Sequence, residues 1–222
     1  MNTASGVPVT RNPNEPRVRV VGLPGSVRPH GSTRLAVLKA LEGAEAQGAI
    51  TSLIELSQLD LPFAYDHSAD YGGDVRKLRE MVRTADGIIL GTPEYHGGVS
   101  GVLKNALDLM GFEEFRGKMI GLIGVAGGAM GAHDALNTLR GVGRALHAWV
   151  VPAQAVVPNA GRAFAADGSL RDSALERRLL DVGREVARFA LLHKCEEHVS
   201  FLREWEQAPE NPGGDQNVRM PT

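Results

Sequence analysis

Residues 18–34 read VRVVGLPGSVRPHGSTR. Val18–Leu23 is a short β-branched run of the kind that forms a strand. Over Thr33–Gln47, Leu35, Leu38, Leu41 and Ala44 recur at helical spacing. Between the two, Gly25–Arg34 supplies glycines, three hydroxyls and two guanidinium groups. Such a loop at the start of a helix meets unpaired N–H groups and the positive end of the helix dipole, which together favour an anion. The bland alternative is a solvated loop in which Ser32 only caps the helix. The spacing is not G-x-G-x-x-G, and the lysine of G-x-x-x-x-G-K-[ST] is missing, which excludes a dinucleotide fingerprint and an NTP-hydrolysing loop. Hydroxyls with arginine and no lysine fit a terminal monophosphate.

The alternation continues outward from this stretch. Ile50–Leu56 is a second strand candidate, and Asp74 is placed to cap a helix carrying Val75, Leu78, Met81 and Val82. Gly87–Gly91 (GIILG) is apolar throughout, as a strand covered on both faces must be. Ser100–Met110 reads as a helix, Met119–Val125 (MIGLIGV) as another buried strand and Ala132–Leu146 as another helix. Val150–Val157 is the last strand, with Pro152 placing it at an edge or delaying its start. Asp167–Gly168 makes a turn. Ser173 and Glu176 then fit a capping box before a helix striped by Leu175, Leu179, Val182, Val186, Phe189 and Ala190. Apolar strands alternating with helices predict an α/β fold, a parallel sheet between two helical layers. Ligands of such sheets lie outside the carboxyl ends of the strands, where the strand order reverses.

The 222 residues suit one domain, expected over 17–206, with Pro- and Gly-rich flexible tails at 1–16 and 207–222. A formal net charge of −2 lacks the basic excess of a nucleic-acid binder. The single cysteine, Cys195, excludes an intramolecular disulfide framework and a cysteine zinc cluster. With no signal peptide or membrane span visible, a cytoplasmic protein is expected. Cys195 with His193 and His198 has a spacing open to a metal, yet the charged neighbours Lys194, Glu196 and Glu197 fit an ordinary amphipathic surface better.

Two further loops fall at strand ends. Thr92–Ser100 contains Pro93, Glu94, Tyr95, His96, Gly97 and Gly98. Its glycines let main-chain groups approach a flat polar ring, and Tyr95 either stacks or packs at the rim. For Glu94 a loop-holding role, and for His96 a plain surface position, weighs about as much as a role at the ligand. Ala126–Gly131 carries Gly127, Gly128 and Gly131, which either bring main-chain donors to a ligand or serve strand-to-helix packing. Each loop is a weak signal by itself; three on one sheet edge, in the right order, are a considerably stronger one.

Gly25–Arg34 (GSVRPHGSTR), Pro93–Gly97 (PEYHG), Val102–Leu109 (VLKNALDL) and the pair Gly127-Gly128 resemble the NADPH-dependent FMN reductase family of flavodoxin-like proteins, over about residues 18–195. The resemblance implies a flavodoxin-like three-layer sandwich, its five-stranded parallel sheet in the order 2-1-3-4-5, with FMN at the carboxyl edge. It implies that Ser26, Arg28, Ser32 and Thr33 hold the FMN phosphate. Pro93, Glu94, Tyr95, His96 and Gly97 would line the isoalloxazine ring, and Gly127 and Gly128 would approach its other edge. Many members carry Asn where this chain has His96.

The resemblance also implies NADPH, or NADH, as hydride donor. Ping-pong transfer would follow, to a flavin, quinone, azo, nitro or metal-oxyanion acceptor. It further implies a homodimer or homotetramer whose neighbouring chain helps cover the flavin, with Tyr65 and Tyr71 in Asp60–Gly73 as that cover or as loop packing. No catalytic acid or base is expected, because the cofactor carries the hard chemistry. A non-enzymatic FMN-binding electron carrier or sensor is the alternative. Flavodoxins of that kind are shorter, more acidic and without the PEY-x-G to LKNALD segment. A phosphoacceptor module would want Asp residues at the strand ends, where this chain has Gly22, Leu23, Gly91 and Thr92.

Overall fold

Strands that are apolar at every residue must be covered on both faces, and the tertiary structure covers them. That structure, a computed structural model, describes residues 17–65 and 71–194. In chain order they form β1 (Arg19–Pro24), α1 (Ser32–Glu45), β2 (Ile50–Leu53), a 3-10 turn (Leu56–Gln58), α2 (Gly73–Arg83), β3 (Gly87–Tyr95) and β4 (Gly98–Val99). There follow α3 (Gly101–Asp108), α4 (Phe112–Phe115), β5 (Met119–Val125), α5 (His133–Ala145), β6 (Trp149–Val157), α6 (Ala160–Ala163) and α7 (Ser173–Lys194). The parallel strands lie in the order β2-β1-β3-β5-β6, and β4 pairs antiparallel with the end of β3. Leaving aside the two-residue β4, this is the expected flavodoxin-like order. The expected tails, Cys195 and His198 lie outside the described residues.

The pleat sorts side chains between the two layers. Val20, Ile89 and Ile123 pack with α1 and α7, whereas Val21, Ile88, Leu90, Ile120 and Leu122 pack with α2, α3 and α5. On the first face α1 and α7 approach to backbone distance at two glycines, Gly43 and Gly183. A Cβ on Gly183 would lie 1.7 Å from Ala40 O, and one on Gly43 would lie 2.0 Å from Leu180 O. This crossing holds α1 against the sheet and so sets where its N-terminus stands at the carboxyl edge.

Four local features differ from the sequence expectation. β3 runs past Gly91 to Tyr95, carrying Pro93 inside a strand. Pro93 shares its side of the backbone with Gly91, which faces β1, and β1 stops at Pro24 opposite Gly91. No ladder bond is therefore forfeited by the missing N–H. Asp74 sits in the first turn of α2 rather than at its cap, and its carboxylate accepts from Asp60 N–H at 2.9 Å. The carboxylate of Asp172, one residue before Ser173, accepts from Ala174 N–H at 2.8 Å and caps α7. β2 ends at Leu53 because the chain turns into the 3-10 segment. β6 takes the expected edge, and Pro152 falls in its irregularity: Ile120 pairs with Val150 but Leu122 with Gln154.

The α1–α7 crossing and an open site on α5 make opposite predictions for one substitution type. Gly183→Ala forces a methyl group into backbone and should cost about 3 kcal/mol or more. Gly141→Ala, in α5 with nothing within 4 Å of the new Cβ, should gain about 0.5–1 kcal/mol. Urea unfolding midpoints should move in opposite directions.

Candidate functional site

Because β1, β3, β5 and β6 run parallel, their exits meet on one edge and enclose a cavity of about 260 Å³. Ser26, Arg28, Gly31, Ser32 and Thr33 line it from the segment between β1 and α1. Pro93, Glu94 and Tyr95 enter from β3, and Val125, Ala126 and Gly127 from the end of β5. Of the residues singled out in the sequence, His96, Gly97 and Gly128 do not line this cavity. Ala160 and Gly161, from the start of α6, do so without having been anticipated. Their signal was available: Pro158-Asn159-Ala160-Gly161 is a turn sequence directly after a parallel strand, so it must fall on the same edge.

One end of the cavity gathers groups whose chemistry suits an anion. α1 starts after Gly31 with no side-chain cap, so the N–H groups of its first turn, at Ser32 and Thr33 on the cavity wall, have no such competitor. Ser32 is not the cap: its hydroxyl donates to Ala160 O at 3.1 Å and ties α1 to α6. Ser26 Oγ accepts from Arg28 N–H at 3.3 Å, which shapes the loop. Of the loop's two arginines only Arg28 lines the cavity, since Arg34 is paired with Glu55 at 2.5 Å.

The second wall is a hairpin rather than a loop. Glu94 and Tyr95 pair with Val99 and Gly98 across a two-residue turn, His96–Gly97, whose φ angles are 53° and 74°. Two positive φ values mark the turn type that suits a tight hairpin, with Asn-Gly its preferred sequence. Histidine is among the few non-glycine residues enriched in that conformation, which accounts physically for His96 at this position. Glu94 is committed to structure as well: its Oε2 accepts from Ala135 N–H at 3.0 Å, capping α5, whose own N-cap residue is Ala132.

The walls are joined by two buried hydroxyls. Ser100, 2% exposed, donates to Gly25 O at 2.6 Å and accepts from Leu103 N–H at 3.2 Å, so one side chain caps α3 and holds the exit of β1. Thr92 Oγ1 accepts from Ser100 N–H at 3.1 Å and donates to Pro93 O at 2.8 Å. Gly25 has no room for a side chain, because a Cβ would stand 2.6 Å from that of Leu103. From α3, Asn105 holds the neighbouring loop, accepting from Ala64 N–H at 3.3 Å and donating to Pro62 O at 3.0 Å. In that loop Tyr65 N–H donates to the Tyr71 hydroxyl at 2.8 Å, with the rings edge to face.

The third wall is main chain. A Cβ on Gly127 or Gly128 would meet no protein atom within 4 Å, so both glycines border open space. Their loop is braced from behind, where Asn159 N–H donates to Gly128 O and Ala160 N–H to Ala126 O, at 3.0 and 2.9 Å. Among the described residues no cluster of His, Cys, Asp or Glu could hold a metal ion. Ser100→Ala should remove the α3 cap and strand the Gly25 carbonyl, costing about 2 kcal/mol. A thermal melt should show this as a drop of roughly 4–8 °C. His96→Asn should leave the melting temperature equal or higher, whereas His96→Val should cost roughly 1–2 kcal/mol at a positive φ.

Comparison with known proteins agrees with this geometry. The family model described as NADPH-dependent FMN reductase matches residues 18–162. The chain is 32% identical over 188 residues to the NADPH-dependent FMN reductase ArsH of Shigella flexneri, covering 81% of this chain and 71% of that protein. It is 31% identical over 178 residues to the NADPH azoreductase of Bacillus sp. (strain OY1-2), covering 80% and 95% respectively. Among solved structures, the flavoenzyme NAD(P)H:(acceptor) oxidoreductase FerB of Paracoccus denitrificans superimposes with a TM-score of 0.60 at 26% identity, covering 79% of this chain and 98% of that one. A flavodoxin from the domain Archaea, at 13% identity and a TM-score of 0.51, shares the fold. With its sheet, its carboxyl edge and well over half its length on that family model, the chain belongs to the NADPH-dependent FMN reductase family.

Proposed function

We propose that the cavity holds FMN and that the protein passes hydride from NADPH or NADH, by ping-pong turnover, to a flavin, quinone, azo, nitro or metal-oxyanion acceptor. The observation that carries this reading is the meeting of an uncapped helix N-terminus and Arg28 with the open main chain of Gly127 and Gly128 on one edge. The donor set fits the cofactor's parts. Ser26, Ser32, Thr33 and the first-turn N–H groups of α1 suit a phosphate, with Arg28 neutralising its charge. Pro93, Tyr95 and the hairpin turn at His96–Gly97 suit one border of a planar ring, and the Gly127–Gly128 main chain suits the other.

When bound, FMN supplies the hydride chemistry. The chain's own contribution is position and charge. The N–H groups of Gly127 and Gly128 would place partial positive charge beside a bound ring. Tyr95, half exposed at the rim, limits water access to that space. Glu94 is occupied in capping α5, so no step needs it as an acid or base.

Phe63, Tyr65 and Met130 stand 85%, 77% and 89% exposed on the loops between β2 and α2 and between β5 and α5. We infer that a second copy of this chain covers them and completes the site as a homodimer or homotetramer. No described helix is long and apolar enough to cross a membrane; with one cysteine in 222 residues, we place the protein in the cytoplasm.

The test is a visible spectrum of protein mixed with FMN and desalted, followed by anaerobic NADPH. Retained flavin bands that bleach are expected, and Arg28→Ala should weaken FMN affinity about tenfold. Bands that no nicotinamide bleaches would make the protein a carrier. Unchanged affinity in Arg28→Ala would remove the phosphate assignment.

A further inference from the structure

Beside the 260 Å³ cavity lies a larger cleft of about 690 Å³. The two share a partition. Ala126 and Gly127 line one and Ala129 to Gly131 the other, on a single loop, while Ala160 and Gly161 line the first and Asn159 and Arg162 the second. The hydrogen bonds Asn159 N–H to Gly128 O and Ala160 N–H to Ala126 O run through that partition.

The larger cleft is basic. Arg162, Arg171 and Arg178 line it, all exposed, together with His133. None of the three guanidinium groups forms an ion pair with a described residue. Two carboxylates lie near. Asp172 lines the cleft but is spent on the α7 cap, and Asp167, within electrostatic range of Arg171, accepts from Ser169 N–H and Oγ. With His133 neutral, the lining side chains carry an excess of two positive charges. Val156 and Leu175 add an apolar floor. Three forked donors around an apolar floor match a phosphorylated nucleoside, whose base takes the floor and whose phosphate takes the arginines.

We propose that this cleft binds the adenosine end of the nicotinamide donor and that Arg162, Arg171 and Arg178 grip its 2′-phosphate, so that they select NADPH over NADH. The inference rests on the flavin-reductase reading for its choice of ligand, but its geometry stands on the cleft alone.

The experiment therefore has a flavin-free arm. Calorimetric titration of the full chain with adenosine 2′,5′-bisphosphate should show binding that weakens about five- to tenfold in each of Arg171→Ala and Arg178→Ala, and more in the double variant. Arg177→Ala, next to Arg178 on α7 but outside the cleft, serves as control and should bind as wild type. Adenosine 5′-monophosphate should bind distinctly more weakly, and inorganic phosphate should displace the bisphosphate only at large excess.

Equal binding of the mono- and bisphosphate, equal displacement by inorganic phosphate, or bisphosphate affinity unmoved by the arginine substitutions would each overturn the assignment. In FMN-loaded protein the same variants should raise KM for NADPH by a similar factor and leave KM for NADH and FMN retention unchanged. Parallel shifts with both donors would also overturn it. Wild-type protein that binds the bisphosphate yet never bleaches with NADPH would instead count against the reductase reading.

Discussion

The carboxyl edge of this sheet depends on one buried hydroxyl. Ser100 Oγ donates to Gly25 O and accepts from Leu103 N–H, and its own N–H donates to Thr92 Oγ1. A parallel sheet leaves each strand end with main-chain groups that no ladder partner satisfies, and burial makes that expensive. Ser100 and Thr92 satisfy several such groups at once. In doing so they fix the exit of β1, the end of β3 and the start of α3 relative to one another. The loop between β1 and α1 and the hairpin at the end of β3 inherit their spacing from that knot.

Around the knot, side chains with chemical potential are mostly committed to architecture, and the open positions are main chain. Glu94 caps α5, Ser32 ties α1 to α6, Arg34 pairs with Glu55, and Asn105 secures the loop at Pro62–Ala64. What stays available is the first turn of α1, Arg28, Tyr95 and the glycine run after β5. Such a site suits a cofactor that brings its own reactivity, since it offers fixed dipoles and one cation rather than proton-transfer groups. The family match is consistent with that division of labour.

Placement of those dipoles is decided on the opposite face of the sheet. The glycine contact between α1 and α7, at Gly43 and Gly183, lets the two helices approach to backbone distance. A wider crossing would tilt α1 and swing its N-terminus away from β3. A packing constraint among residues outside the cavity thus bears on where the first turn of α1 stands.

Most of the fold was legible in the chain because its signals are local. Continuous apolar runs at Gly87–Gly91 and Met119–Val125, short and bounded by loop signals, mark strands with cover on both faces. The helical periodicity between them leaves few arrangements other than a doubly covered parallel sheet. The glycine, hydroxyl and arginine content of Gly25–Arg34 pointed to an anion for the same reason, since helix N-terminus and loop composition are contiguous in sequence. Tertiary structure decided what depends on partners far apart in the chain. It extended β3 through Pro93 because β1 stops opposite Gly91. It removed Arg34 from the site through Glu55, gave Glu94 to Ala135, and brought Ala160 and Gly161 to a cavity begun at Ser26. It also gathered Arg162, Arg171 and Arg178 around one cleft, which sequence spacing does not announce. Backbone conformation answers to neighbours along the chain; the pairing of buried polar groups answers to whichever groups the packed layers bring within reach.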